Sequence, residues 1–146
     1  MKFDKATSAG YLANHLARLF ANGLAGRIRP LGLAPGQLPA LLELWETDGL
    51  SQRDLVERID VEQATLANTL ARMERDGLIT RRPHPDDGRV QQIWLTDLAR
   101  SLEALATEAA HAQNRAALEE MTQAERTELL RLMGLAIKSL RARRGN

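Results

Sequence analysis

The central segment of the chain, residues 60–75, has the sequence DVEQATLANTLARMER. Asp60 is a favourable helix N-cap, and Gln63 three residues later can return a hydrogen bond to the backbone of the cap. Gly77 follows the segment and supplies the permissive backbone that often ends a helix. The sequence therefore predicts a short helix that starts with a capping box at Asp60 and stops at Gly77.

This predicted helix has one apolar stripe, because Leu66, Leu70 and Met73 recur at helical spacing. The remaining positions face outward, and they are Ala64, Thr65, Asn68, Ala71, Arg72 and Arg75. Small side chains and an amide allow close approach to base edges in a DNA groove. An ordinary amphipathic helix explains the segment equally well when it is considered alone.

A second helix is predicted just upstream, because Ser51 and Asp54 form another capping signature. Its apolar positions are Leu55, Val56 and Ile59. A three-residue break at residues 59–61 separates it from the central helix. Two short helices joined by a tight turn indicate a helix-turn-helix.

Two extended segments follow, at residues 78–83 and 90–95, and between them lies the turn sequence PDDG at residues 85–88. We expect Gly88 to permit the sharp reversal and Asp87 to hold the turn backbone and the Arg89 side chain. Trp94 alternates with Ile93 and Leu95, which predicts a position on the outer face of its strand, and packing against a neighbouring helix is the simplest role for it there. The pattern predicts a two-stranded wing.

The string LANTLARMERDGLITR at residues 66–81, followed by Asp87-Gly88-Arg89 and Leu95-Thr96, resembles the winged helix-turn-helix of the multiple antibiotic resistance regulator (MarR) family, and most of all its SlyA-like branch. The resemblance implies a mainly α fold with a small β wing. It implies one domain, 1–146, with a winged helix-turn-helix at 34–95 and dimerisation helices at 1–30 and 97–146. Asn68 stands where many members carry arginine.

The resemblance implies a cytoplasmic, ligand-responsive transcription regulator, most of all a repressor, that binds a palindromic operator in double-stranded DNA as a homodimer. It places Arg89 in the minor groove. The full set of expected DNA contacts is Ser51, Gln52, Ala64, Thr65, Asn68, Thr69, Arg72, Arg82, Asp87 and Arg89. A pocket for a small aromatic effector is expected between the dimerisation helices and the winged unit. By position alone, Tyr11, His15, Arg18 and Trp45 are the candidates to line it, and a core or surface role explains each of them equally well.

Long helices are predicted on both sides of the winged unit. One covers roughly residues 7–28, another runs from a cap at Thr96 to about residue 120, and the last opens at Thr122-Gln123-Ala124-Glu125 and ends before a polar tail at 141–146. Their apolar surface exceeds what a 45-residue module could cover, so a second subunit is expected. A monomeric bundle packed on its own winged unit is the alternative.

Composition places the chain among soluble globular proteins of one domain, with 146 residues, 44% hydrophobic and 27% charged. No apolar run reaches membrane-spanning length and no signal-peptide core follows the N-terminus, so we expect no membrane partner. There is no cysteine. Disulfides, thiolate metal sites and thiol redox sensing are thereby excluded.

The net charge of +1 is unevenly distributed: both ends are basic, whereas residues 51–95 hold seven arginines against eight acidic side chains. Attraction to phosphate must therefore come from local placement on the wing, at Arg81, Arg82, His84 and Arg89. A winged-helix module that binds another protein without specific DNA binding is the alternative that this balance keeps open. A dimer that binds DNA without any ligand is a third interpretation.

The sequence gives no sign of catalysis. It contains no phosphate-binding loop, nucleophile elbow or zinc-protease signature. The three histidines, His15, His84 and His111, are not at metal-ligand spacing to one another. We expect no enzyme activity, no metal and no cofactor.

Overall fold

The computed structural model describes residues 1–144. The helices are α1 Ala9–Ile28, α2 Leu38–Glu46, α3 Gln52–Ile59, α4 Gln63–Arg75, α5 Asp97–Ala117 and α6 Gln123–Arg144. The strands are β1 Leu50–Ser51, β2 Ile79–Pro83 and β3 Gln91–Leu95. Single 3₁₀ turns precede α1 and lie between α1 and α2. The fold is mainly α with a small antiparallel sheet, as the sequence predicted.

The chain forms two compact units. The first, Met1–His111, contains α1 to α4, the sheet and most of α5, and the second begins at Ala112 and contains α6. The core of the first unit is built from the apolar stripes of its helices and the inner face of its sheet. Its largest fully buried side chains are Ile28, Leu41, Leu44, Leu55, Leu70, Met73, Ile79 and Ile93.

The start of α3 follows the predicted capping box. The Ser51 hydroxyl accepts a hydrogen bond from the Asp54 backbone N–H, and the Asp54 carboxylate accepts one from the Ser51 N–H, both at 3.0 Å. The sequence prediction for Asp60 was wrong, because Asp60 ends α3 instead of starting α4. It adopts the left-handed conformation at φ 56°, which aspartate tolerates better than most residues.

The helix α4 begins later than predicted. Glu62 is its N-cap and makes no side-chain capping bond, so the capping box of Asp60 and Gln63 does not form. The predicted stop at Gly77 is confirmed. Gly77 has φ +76°, its N–H bonds to Glu74 O, and the Leu78 N–H bonds to Met73 O at 2.9 Å, which is a Schellman motif.

The wing is a three-stranded sheet in the order β1-β3-β2. Trp94 lies opposite Thr80, and Gln92 lies opposite Arg82. These four side chains share the outer face, whereas Ile79, Ile93 and Leu95 on the other face are buried. The outward position predicted for Trp94 is confirmed. The strand β1 was not predicted, since two residues are too few for a period to show.

The turn between β2 and β3 does not use the conformational freedom of glycine. Gly88 is absent from the glycines at positive φ, so its predicted role is wrong. Side chains shape the reversal instead: the Asp87 carboxylate accepts from the Arg89 N–H at 3.1 Å, and His84 Nδ1 accepts from the Asp86 N–H at 3.0 Å. Such local bonds replace a strained backbone.

Threonine residues cap the N-termini of two further helices, as predicted. The Thr96 hydroxyl accepts from the Ala99 N–H at 3.2 Å at the start of α5. Thr122 and Glu125 exchange two hydrogen bonds at the start of α6. The helix α6 continues to Arg144, so residues 141–144 are helical and not an irregular tail; residues 145 and 146 lie outside the described part.

A helix that crosses a membrane must be both long and apolar. None in residues 1–144 combines the length and the apolarity that a membrane crossing requires.

Candidate nucleic-acid interface

The helix α4 separates a buried face from a polar exposed face. Leu66, Leu70 and Met73 are at most 2% exposed and anchor the helix in the core. On the opposite face, the exposed residues are Ala64, Thr65, Asn68, Ala71, Arg72 and Arg75. This is the outward set that the sequence predicted. The buried stripe anchors the helix in the core, while Thr65 and Asn68 present short polar side chains on the exposed face.

A buried glutamine that the sequence reasoning did not single out holds the C-terminal end of α4. Gln37 is 7% exposed, its side-chain carbonyl accepts from the Ala34 N–H at 3.1 Å, and its amide donates to the Asp76 carboxylate at 3.2 Å. Buried amides without partners are costly. The sequence signal for this role was the position of Gln37, three residues after Ala34 and next to a proline turn.

Three of the expected contact residues have local bonds or partial burial of their own. The Ser51 hydroxyl is engaged in the cap of α3 but retains its hydrogen for donation. Thr69 is half-buried, and its hydroxyl donates to Thr65 O at 3.0 Å. Gln52 is half-buried at the first position of α3. These residues can contact a backbone phosphate more readily than a base edge.

The tip of the wing carries an ion pair between neighbours in sequence. Arg89 Nε lies 3.1 Å from Asp87 Oδ1, and Nη2 lies 3.4 Å from Oδ2. The Arg89 side chain is 92% exposed. Its hydrogen bonds hold the pKa of the Asp87 carboxyl below the ordinary value, and the Arg89 N–H lowers that pKa further. The pair places the exposed Arg89 guanidinium beside the Asp87 carboxylate.

The two arginines of β2 face opposite sides of the sheet. Arg82 lies on the outer face, exposed, with its guanidinium carbon 5.1 Å from the centre of the Trp94 ring system. Arg81 lies on the inner side and pairs with Glu74 of α4 at 3.6 Å. Arg81, expected to attract phosphate, instead ties the wing to α4. Arg82 and Arg89 are left as the outward cations of the wing.

The residues expected to line an effector pocket are placed on two helices. Tyr11 and His15 on α1 make an edge-to-face contact at 6.0 Å, and the Lys5 ammonium lies 5.8 Å from the Tyr11 ring. Arg18 is exposed one turn beyond His15. Trp45 belongs to α2, where its indole N–H donates to Ala99 O of α5 at 3.0 Å. Trp45 therefore makes a hydrogen bond that links α2 to α5, whereas Tyr11 and His15 form an exposed aromatic pair.

Metal binding has no candidate in the described part of the chain, residues 1–144, where no group of three or more acidic or histidine side chains could hold an ion.

The fold and the outward polar helix define a winged helix-turn-helix protein. Residues 33–90 match the model of the MarR family. It is 32% identical over 69 residues to YdgJ, an uncharacterised helix-turn-helix transcriptional regulator of Bacillus subtilis. The match covers 47% of this chain and 42% of that relative, so less than half of the relative is spanned.

Solved structures share the fold over nearly the whole chain. A protein described as a probable transcriptional regulator from Pseudomonas aeruginosa is 28% identical, with a TM-score of 0.84 over 91% of this chain and 99% of that one. A Listeria monocytogenes protein proposed to be a MarR family regulator, solved with 26-mer DNA, is 21% identical with a TM-score of 0.82, over 96% and 90%. The SlyA-like branch stays a prediction.

Proposed function

We propose that this protein is a DNA-binding transcription regulator that places α4 in the major groove and the tip of its wing in the minor groove. The observation that carries the proposal is the polar, short-chained outer face of α4, set on three buried anchors, in one compact unit with an arginine-bearing wing. A helix of this kind fits the width of the major groove. The Listeria protein, which shares the fold, was solved with 26-mer DNA, and this supports the DNA-binding part of the proposal.

Base reading is assigned to Thr65 and Asn68, and Ala64 allows close approach of the helix N-terminus. An asparagine amide can pair with adenine in the major groove. Arg72, Thr69, Ser51 and Gln52 are assigned to backbone phosphates, which fix the register of the helix on the duplex. The assignment of Ser51 and Thr69 is supported by their local hydrogen bonds and partial burial, which leave their hydroxyls less reach than the exposed Asn68 amide.

Arg89 is assigned to the minor groove. A narrow minor groove concentrates negative potential, so an inserted guanidinium gains more there than on an open phosphate face. Asp87 holds the guanidinium in position in the free protein. The 92% exposure of the Arg89 side chain means that little desolvation of the protein itself opposes insertion.

The proposal includes a homodimer. The helix α1 exposes Tyr11, Leu12, Leu16 and Leu19 on one face, and α6 exposes six large apolar residues. Apolar surface of this extent is typical of protein interfaces. Residues 1–30 and 97–146 would supply the dimer contacts and residues 34–95 the DNA contacts. A two-fold axis would space two α4 helices by about 34–36 Å, which matches a palindromic operator.

Repression and response to a small ligand complete the proposal. A dimer bound across an operator blocks access to the promoter. The exposed pair of Tyr11 and His15, with Lys5 and Arg18 nearby in the sequence, suits an anionic aromatic molecule. Such a ligand would change DNA affinity by favouring one spacing of the two reading helices.

The experiment is a salt-titrated binding assay on the DNA upstream of the protein's own gene, with Arg89→Ala beside the wild type. We expect Arg89→Ala to weaken binding to all sequences and to reduce the salt slope by about 0.9 for each phosphate that is no longer neutralised. Arg58→Ala is the matched control, because it removes one ion-paired arginine, bonded to Glu43, that lies outside both the expected DNA contacts and the dimer segments. Wild-type affinity and slope in Arg89→Ala would show that the wing does not touch DNA.

A second candidate is a docking module for another protein, which the excess of acidic residues in 51–95 favours. That candidate predicts weak, sequence-independent DNA binding for the wild type in the same assay.

A further inference from the structure

We propose that Trp94 is a positioning residue for DNA binding, whose indole ring holds the Arg82 guanidinium on the outer face of the wing as a phosphate contact. The inference rests on the proposed function and extends it, because Trp94 itself need not touch DNA. The site comprises Arg82 on β2, Trp94 on β3 and Gly49 in the turn before β1.

The strand register brings the two side chains together. Trp94 is directly opposite Thr80, so Arg82, two residues along β2, is its diagonal neighbour on the same face. Diagonal pairs are within reach of aromatic and long side chains. The guanidinium carbon of Arg82 lies over the ring at 5.1 Å from its centre, which is a cation–π distance.

The ring is fixed by packing at Gly49. A Cβ placed on Gly49 would lie 2.6 Å from Trp94 Cζ2 and 2.7 Å from Cη2, so only glycine leaves room for the indole. Gly49 also has φ +77°, and its N–H donates to Ile93 O at 3.0 Å. The Trp94 Nε1 is buried without a hydrogen-bond partner in residues 1–144. Packing and the arginine stack therefore set the position of the ring.

The stack differs from the other arginine site of the wing in a way that bears on phosphate binding. Asp87 holds Arg89 through an ion pair. A DNA phosphate must therefore compete with the Asp87 carboxylate for the guanidinium. Trp94 holds Arg82 without neutralising it, and Arg82 makes no ion pair within the described part of the chain. A guanidinium lying on a ring keeps its in-plane N–H donors available for phosphate oxygens. Its rotamer freedom is reduced before DNA arrives, which lowers the cost of binding.

The test is a double-mutant cycle on operator DNA with Trp94→Leu, Arg82→Ala and the double variant. We expect Trp94→Leu to weaken binding roughly two- to fivefold when Arg82 is present. We expect it to have no further effect in the Arg82→Ala background, where there is no guanidinium to position. Trp94→Phe should restore most of the affinity, because a phenyl ring still presents an aromatic face to the Arg82 guanidinium.

A measurement without DNA checks the stack itself. The chain has two tryptophans, Trp45 and Trp94, so 5-fluorotryptophan labelling gives two ¹⁹F resonances, and Trp94→Phe identifies them. Arg82→Ala should shift the Trp94 resonance and leave the Trp45 resonance in place. Thermal unfolding of each variant separates an effect on the stack from an effect on the fold.

Equal decreases in affinity from Trp94→Leu with and without Arg82 would overturn the inference, because Trp94 would then act through the stability of the wing. Unchanged binding in Trp94→Leu or in Arg82→Ala would overturn it as well. Failure of the proposed function is recognised separately, since the wild type and Arg89→Ala would then bind DNA alike.

Discussion

Two helices of this protein, α4 and α6, make opposite use of apolar side chains. In α4 the large apolar residues are Leu66, Leu70 and Met73, all buried in the core of their own unit. In α6 no described residue is buried, and Leu130, Met133 and Ile137 are 45–62% exposed. The exposed face of α4 is polar, whereas α6 exposes six large apolar side chains among its charged ones.

The difference indicates what each surface is suited to contact. A polar face with short side chains can replace its hydrogen bonds to water with hydrogen bonds to the donors and acceptors of base edges. An apolar helix surface is stabilised when it is removed from contact with water, as in a subunit interface. The apolar positions of α6 extend around much of its circumference, a pattern typical of helices that are buried on more than one side. Substitutions in α4 and in α6 test these two assignments separately.

The largest effect, on the free energy of unfolding, is expected on the buried face of α4. Leu70→Ala should lower the free energy of unfolding by about 2–5 kcal/mol, because Leu70 is fully buried and its removal leaves a cavity. Urea unfolding followed by circular dichroism measures the change. Leu70→Met keeps the volume and should cost less than about 1.5 kcal/mol. Equal, small decreases in both variants would mean that α4 is not anchored by its buried stripe.

On α6, a charge in place of an exposed apolar residue should separate subunits. Ile137→Glu should raise the dimer dissociation constant roughly 30-fold or more, since interface hot spots contribute about 2 kcal/mol or more each. Thr65→Glu, at an exposed position of α4 outside the segments assigned to the dimer, is the matched control. Sedimentation equilibrium measures the change, and a wild-type monomer at micromolar concentration would contradict the dimer.

The outer face of α4 should determine sequence preference without affecting the fold. Asn68→Ala should relax the preference at one base pair in each half-site by about 1–3 kcal/mol, because its amide no longer pairs with the base. Selection from a randomised operator library measures this, with Asn14→Ala on α1 as the control. An unaltered set of selected sequences would make Asn68 a surface residue only.

The smallest effect concerns the wing tip. Because Arg89 holds the pKa of Asp87 below its ordinary value, the stabilisation from this pair is present above the usual aspartate range and is lost as pH falls through the lowered pKa. Arg89→Ala should raise the Asp87 pKa toward the ordinary value in a ¹³C-carboxyl NMR titration. Glu125, whose lowered pKa comes from the Thr122 cap, should not change.

Most of the fold could be predicted because its signals are local. Apolar spacing identified the buried stripe of α4, and Ser51, Thr96 and Thr122 were recognisable as helix caps from short local patterns. The error at Asp60 has a physical reason: aspartate serves both as an N-cap and as a left-handed helix end, and the two roles compete within a three-residue turn. Sequence alone does not say which role is taken.

The contacts that were missed are non-local. Gln37 bonds to Asp76 across 39 residues, and Trp94 meets Gly49 from a distant part of the sequence, so neither pairing has a sequence period. The opposite orientations of Arg81 and Arg82 follow from the alternation of β2, but the partner of each depends on which element packs behind the sheet. The exposure of Asn68 and Arg89 could be predicted, whereas the long-range packing that supports α4 and the wing could not.

The central claim, that α4 lies in the major groove, can be tested by affinity cleavage, since the chain has no cysteine and a single introduced thiol is unique. Ala64→Cys at the exposed start of α4, coupled to iron-EDTA, should cut operator DNA at two clusters about one helical turn, 10–10.5 base pairs, apart. Thr127→Cys on α6 should give no such clusters. DNA that remains bound but uncut from position 64 would contradict the claim.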